Sequence, residues 1–62
     1  MVEHLACANN YRYRAAKARQ AAEATTSQEF SECYRKLADY YMALAKLEDD
    51  YVARAVAAKL SI

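Results

Sequence analysis

The most constraining feature of this 62-residue sequence is a mirror pattern about Thr26. When the chain is read forwards up to Thr26 and backwards beyond it, small residues meet large ones, and the two numbers of each pair sum to 52. The positions recur at alternating steps of three and four, as on one face of a helix. The pattern predicts an antiparallel two-helix hairpin with a small-against-large seam. The seam pairs are Ala22 with Phe30, Ala18 with Tyr34, Ala15 with Leu37, Tyr11 with Tyr41, and Ala8 with Leu44.

Composition supports an all-α fold. The chain has neither glycine nor proline, and alanine and other strong helix formers dominate it. We therefore predict a single domain at 1–62, with helix 1 at about 2–24, a turn at about 25–28 and helix 2 at about 28–60.

The start of helix 2 has two competing cap assignments. Thr26 followed by Glu29 has the spacing of a capping box, in which the hydroxyl and the carboxylate each satisfy a free backbone N–H group. Ser27 as the N-cap residue is the alternative.

Helix 2 carries more apolar surface than one partner helix can cover. In the mirrored register Met1 faces Tyr51, so helix 2 extends beyond helix 1 by roughly ten residues, or about 15 Å. A second apolar row also runs beside the seam. Burying this surface predicts self-association into a four-helix bundle, most simply a homodimer. The predicted partner interface consists of Cys33, Tyr40, Leu47, Val52, Val56 and Leu60.

Charge is balanced overall, with a net charge of +1, which gives no global field to attract nucleic acid or an anionic membrane. Helix 1 is basic and helix 2 carries most of the acidic residues, as expected for two helices of complementary charge. A nucleic-acid interface is the less favoured interpretation of the basic segment. The chain is similar to dimeric hairpins of the plasmid copy-control Rop type in length and layout only. The candidate contacts are Arg12, Arg14, Lys17 and Arg19.

Few residues could support chemistry. The only histidine, His4, lies opposite Glu48 in the mirrored register and predicts a polar pair near the open end. His4 and Cys7 would form only half of a zinc site. Without glycine there is no P-loop or dinucleotide-binding motif. We expect no catalytic residues, no metal and no cofactor, and therefore no enzyme.

The two cysteines are predicted to be free within the chain. The hairpin separates Cys7 from Cys33 by about twelve residues of helix axis, near 18 Å, whereas a disulfide requires Cα atoms within about 7 Å. Cys33, among apolar neighbours, is expected to be a buried, inert thiol. A disulfide between two separate chains is left open as an alternative. Free thiols, no apparent signal peptide at 1–10 and no membrane-length apolar run together predict a cytoplasmic protein.

A segment from Tyr11 to Ala45 resembles short helical-hairpin proteins of rhizobia and related alphaproteobacteria. Their pattern is a Tyr-Arg-x-Arg-Ala-Ala start, an Ala-Thr break and a Leu-Ala-x-x-Tyr/Trp-x-x-Leu-Ala stretch. Here these elements lie at 11–16, 24–25 and 37–45. The resemblance implies a bacterial cytosolic hairpin and no activity, because the group has no assigned function.

The sequence therefore predicts a non-catalytic, self-associating interaction protein. Two alternatives stay open. The chain could be a small accessory or inhibitory subunit of a larger bacterial complex, using the same apolar surface. It could also be a dimeric RNA- or DNA-binding hairpin of Rop-like layout, using the basic segment of helix 1.

Overall fold

A computed structural model describes residues 2–60 and contains two helices packed against each other. Helix α1 spans Val2–Ala24 and helix α2 spans Gln28–Leu60. The predicted all-α, two-helix fold is therefore confirmed, and no strand occurs in this part of the chain. The hairpin is a rod with principal extents of 54 × 15 × 11 Å. The predicted apposition of Met1 and Tyr51 lies outside the described residues.

The connection between the helices is held by local hydrogen bonds. The backbone N–H of Thr25 donates to the Ala21 carbonyl at 3.1 Å, which closes the last turn of α1. The N–H of Phe30 donates to Ser27 Oγ at 3.3 Å, and that of Ser31 donates to the Ser27 carbonyl at 2.9 Å. Ser27 is thus the N-cap of α2, and the alternative capping box of Thr26 and Glu29 is not formed.

Replacing Ser27 by Ala is expected to lower the free energy of unfolding by about 1 kcal/mol, because the N–H of Phe30 loses its acceptor. Thermal or urea unfolding followed by circular dichroism measures this change. Thr26→Ala is the matched control, since the Thr26 hydroxyl caps nothing here, and it should change stability by much less. Equal losses in the two variants would contradict the Ser27 assignment.

The buried part of the seam between the helices consists of alanine. The six buried hydrophobic residues of the described chain are all alanines, and no large side chain among residues 2–60 is fully buried. Small side chains at the contact allow helix axes to approach closely. The buried contact is therefore made by Ala8, Ala15, Ala18 and Ala22 on α1 and Ala38 and Ala45 on α2, with the Tyr41 ring packed against it.

This arrangement differs from the predicted seam on the α2 side. Ala38 and Ala45 occupy the places predicted for Leu37 and Leu44, whereas Tyr34 and Tyr41 keep theirs, so the contact face of α2 is rotated by about 50°, half of one residue, relative to the prediction. Leu44 is half-buried, Leu37 is 41% exposed, and Phe30 is 63% exposed. The physical reason is volume: with alanine along α1, alanine on α2 gives the closest approach, and the larger side chains move to the edge of the contact.

The register along the axis agrees with the mirror pattern even though the rotation differs. The rings of Tyr11 and Tyr41 lie 6.3 Å apart between centroids. At the open end His4 Nδ1 donates a hydrogen bond to Glu48 Oε2 at 2.5 Å. The residue numbers of both pairs sum to 52, as predicted.

Candidate functional site

Two rows of residues run along α2, and they differ by one position throughout. The first, here called the hairpin row, faces α1 and consists of Ser31, Tyr34, Ala38, Tyr41, Ala45, Glu48 and Val52. The second, here called the free row, precedes it by one residue at each position and consists of Phe30, Cys33, Leu37, Tyr40, Leu44, Leu47 and Tyr51. One residue turns a helix by 100°, so the free row faces roughly at right angles to the α1 contact.

The free row is apolar along its whole length. It contains no charged residue over the six turns from Phe30 to Tyr51. Tyr40 and Leu47 are 60% and 65% exposed, and only Leu44 is half-buried. Steps of three and four repeated over three heptads are typical of a row that packs against another helix. This row is the candidate interaction surface.

The predicted partner interface divides into two parts in the structure. Cys33, Tyr40 and Leu47 all lie in the free row and are exposed, so Cys33 is not buried within the hairpin. Val56 follows Leu47 by nine residues, which places it on the opposite side of α2. Val52 belongs to the hairpin row and is half-buried, whereas Val56 and Leu60 are exposed beyond the start of α1.

Three members of the free row lie outside the contact that the mirror pattern predicts for them. Phe30, Leu37 and Leu44 were predicted in the hairpin seam, but the structure places them beside Cys33, Tyr40 and Leu47. The signal was present in the sequence, because the free row has the same three-and-four spacing as the hairpin row. Spacing alone does not show which of two adjacent rows faces α1.

A groove lies between the two helices on the side of the free row. Its volume is about 400 Å³, and Tyr34, Leu37 and Tyr41 of α2 form its apolar wall. Arg14 and Lys17 of α1 form the other edge. The Arg14 guanidinium carbon lies 5.9 Å from the Tyr41 ring centroid, within cation–π range. The groove therefore extends the apolar surface of the free row towards α1.

The opposite side of the hairpin is polar. A second groove of about 330 Å³ is lined by two basic and two acidic side chains, together with Ala22 and Ala38. The charged residues are Arg19, Glu23, Arg35 and Asp39. Mixed charge of this kind favours water over an apolar partner. The two long sides of the hairpin thus differ sharply in polarity.

The four candidate nucleic-acid contacts are not brought together. Arg12 is engaged by Asp49 and by Asn9 Oδ1, the latter at 2.9 Å. Arg19 lies in the polar groove, whereas Arg14 and Lys17 line the apolar one on the other side. Lys17 Nζ also lies 5.5 Å from the Tyr13 ring centroid. The basic segment of α1 is therefore divided between two faces and does not form one continuous patch.

The open end of the hairpin holds the only histidine in a polar cluster. His4, hydrogen-bonded to Glu48, also lies against Tyr51, with ring centroids 4.2 Å apart. Cys7 is exposed and not part of a disulfide. Within residues 2–60 no three His, Cys, Asp or Glu side chains form a group that could hold a metal ion. The contacts of His4 join the two helices at this end.

Comparison with protein-family models, with curated proteins and with solved structures finds no match to this chain. Neither described helix has the length and apolar character required to cross a lipid bilayer.

Proposed function

We propose that the chain is a non-catalytic protein–protein interaction module that binds a second copy of itself. The free row of α2 is the binding surface, and the dimer is a four-helix bundle. The observation that carries this proposal is the apolar row from Phe30 to Tyr51, most of whose side chains are exposed on the outside of the hairpin. Large exposed apolar patches are uncommon on soluble monomers and mark interaction surfaces.

The exposed area supports a dimer of ordinary size. The hairpin exposes 4944 Å², whereas a compact monomer of 7.0 kDa exposes about 4,000 Å². The excess of roughly 900 Å² matches the ~800 Å² that each partner buries in a standard protein interface. Contact with one further hairpin would therefore lower the exposed area of each chain to about that of a compact 7.0 kDa monomer.

The alanine seam supports the same conclusion from inside the molecule. Burial of apolar side chains contributes about 25 cal/mol per Å², and alanine offers little side-chain area to bury. The residues with large apolar area, among them Phe30, Tyr40 and Leu47, lie outside the seam. Their contribution to stability becomes available only when another polypeptide covers them.

The proposed setting is a reducing bacterial cytosol. Cys7 and Cys33 are both free and both exposed in the hairpin, a state that reducing compartments maintain. The bacterial part of this proposal depends on the resemblance of the segment from Tyr11 to Ala45 to the rhizobial hairpin group.

Sedimentation equilibrium tests the self-association. We expect the purified chain to have the mass of two 7.0 kDa chains at micromolar concentration, with helical circular dichroism. The experiment is run under reducing conditions, so that no disulfide contributes to the mass. A well-folded monomer at these concentrations would overturn the proposal.

A further inference from the structure

We infer that the two hairpins pair antiparallel, with the free row of α2 against the free row of the partner's α2. A two-fold axis perpendicular to the helices would pass near Tyr40. This inference rests on the proposed function, because it specifies the arrangement of the same dimer.

The free row is better covered by the α2 helix of the second copy than by its α1 helix. The edge of α1 on this side carries Arg14 and Lys17, and their neighbours seven residues earlier are Cys7 and Asn10. That edge is polar and basic, so placing it on the free row would desolvate charge against apolar side chains. The free row of the second copy is the apolar counterpart that the hairpin itself supplies.

The position of α1 relative to the free row determines the direction in which the two α2 helices pair. A two-fold axis perpendicular to the helices keeps both copies of α1 on one side of the α2 pair, because the free row faces roughly at right angles to α1. The second hairpin then also covers the apolar wall of the groove, formed by Tyr34, Leu37 and Tyr41, while the exposed Arg14 and Lys17 at its other edge keep their charged ends in water. An axis along the helices would place the two α1 helices on opposite sides and leave this groove open. Only the antiparallel arrangement covers both apolar surfaces.

The free row also matches a second free row that runs in the opposite direction. Its midpoint lies near Tyr40, so reversal brings Phe30 to the level of Tyr51 of the partner subunit and Leu37 to the level of Leu44 of the partner subunit. Large side chains then meet large side chains at the levels of Phe30, Leu37 and Tyr40, and the small Cys33 lies near the level of Leu47 of the partner subunit. The helix dipoles also oppose each other, which is the favourable arrangement for neighbouring helices.

Cysteine cross-linking distinguishes the two directions. In a background with Cys7→Ser and Cys33→Ser, we mix the Leu37→Cys and Leu44→Cys variants and oxidise them. Antiparallel pairing predicts a disulfide between the two different variants, formed roughly tenfold faster than either homodimeric disulfide, because only the former joins residues at one level. Parallel pairing predicts the reverse.

The chain with Cys7→Ser alone is a control that leaves the free row intact. Antiparallel pairing separates the two Cys33 residues by about fourteen residues of helix axis, near 20 Å, so oxidation should give no Cys33 disulfide. A rapid Cys33 cross-link, or homodimeric Leu44→Cys cross-links, would overturn the antiparallel inference while leaving the dimer in place. A monomer in sedimentation would overturn both proposals.

A distance measurement tests the direction of pairing without replacing any of the large side chains of the free row. Ala53 is exposed and faces away from both rows, so Ala53→Cys in the serine background accepts a spin label without touching the contact. Antiparallel pairing about Tyr40 predicts an interspin distance on the order of 35–40 Å. A distance near 20 Å would instead indicate parallel pairing and contradict the inference.

Discussion

The Leu47→Glu variant is expected to be a folded monomer at concentrations where the parent chain is a dimer. Leu47 is 65% exposed in the hairpin, so the substitution removes no buried packing from the single chain. In the proposed dimer it buries one unpaired carboxylate per copy, and each costs several kcal/mol. Since about 1.4 kcal/mol changes an equilibrium constant tenfold, the dimer should dissociate at least about 100-fold more readily. Sedimentation over a concentration series gives this constant directly.

Ala53→Glu is the matched control for this prediction. It places the same charge on the same helix, at an exposed position that faces away from both rows. It should leave the dimer dissociation constant within a few-fold of the parent value, and both variants should keep the helical circular dichroism of the parent. Equal dissociation constants for Leu47→Glu and Ala53→Glu would remove the free row from the interface.

The two helices and their register could be predicted because they depend on helix-forming composition, a single turn segment and a spacing pattern that repeats along both helices. A chain without glycine or proline has a single cluster of turn-forming residues at Thr25–Ser27, which limits where the hairpin can bend. The bend then determines the level at which residues meet. The Tyr11–Tyr41 and His4–Glu48 contacts lie at the levels that the mirror pattern predicted.

The rotation of α2 was not predicted, for a physical reason. Leu37 and Ala38 are adjacent, as are Leu44 and Ala45, and each set has the same helical spacing. Large-against-small and small-against-small contacts therefore fit the pattern equally well. The structure has the alanines inside, because alanine along α1 permits the closest approach of the helices. The leucines are then left for the free row.

The candidate site was predicted only in part, for the same reason. Cys33, Tyr40 and Leu47 were assigned to a partner surface and lie in the free row. Phe30 and Leu37 join them as a direct result of the rotation. The division of the basic segment between two faces also depends on rotation, which residue spacing in α1 alone does not establish.

Ala38→Leu is the substitution that separates the two possible rotations of α2. Ala38 is 1% exposed and packs with Ala15 and Ala18, so a leucine there must force the helices apart. Overpacking of this kind costs about 1–3 kcal/mol, which in a chain of this size lowers Tm by roughly 5–20 °C. If Leu37 faced α1 instead, Ala38 would lie at the edge of the contact and the same substitution would be nearly neutral.

Ala16→Leu is the matched control. It makes the same alanine-to-leucine change at an exposed position of α1, beside the buried Ala15. It should leave Tm within a few degrees of the parent value when both variants are melted at one protein concentration. Leu37→Ala completes the set: it should weaken the dimer while changing the packing of the alanine seam little, since Leu37 lies in the free row. A stable Ala38→Leu variant beside an unfolded Leu37→Ala variant would place the leucines, and not the alanines, between the helices.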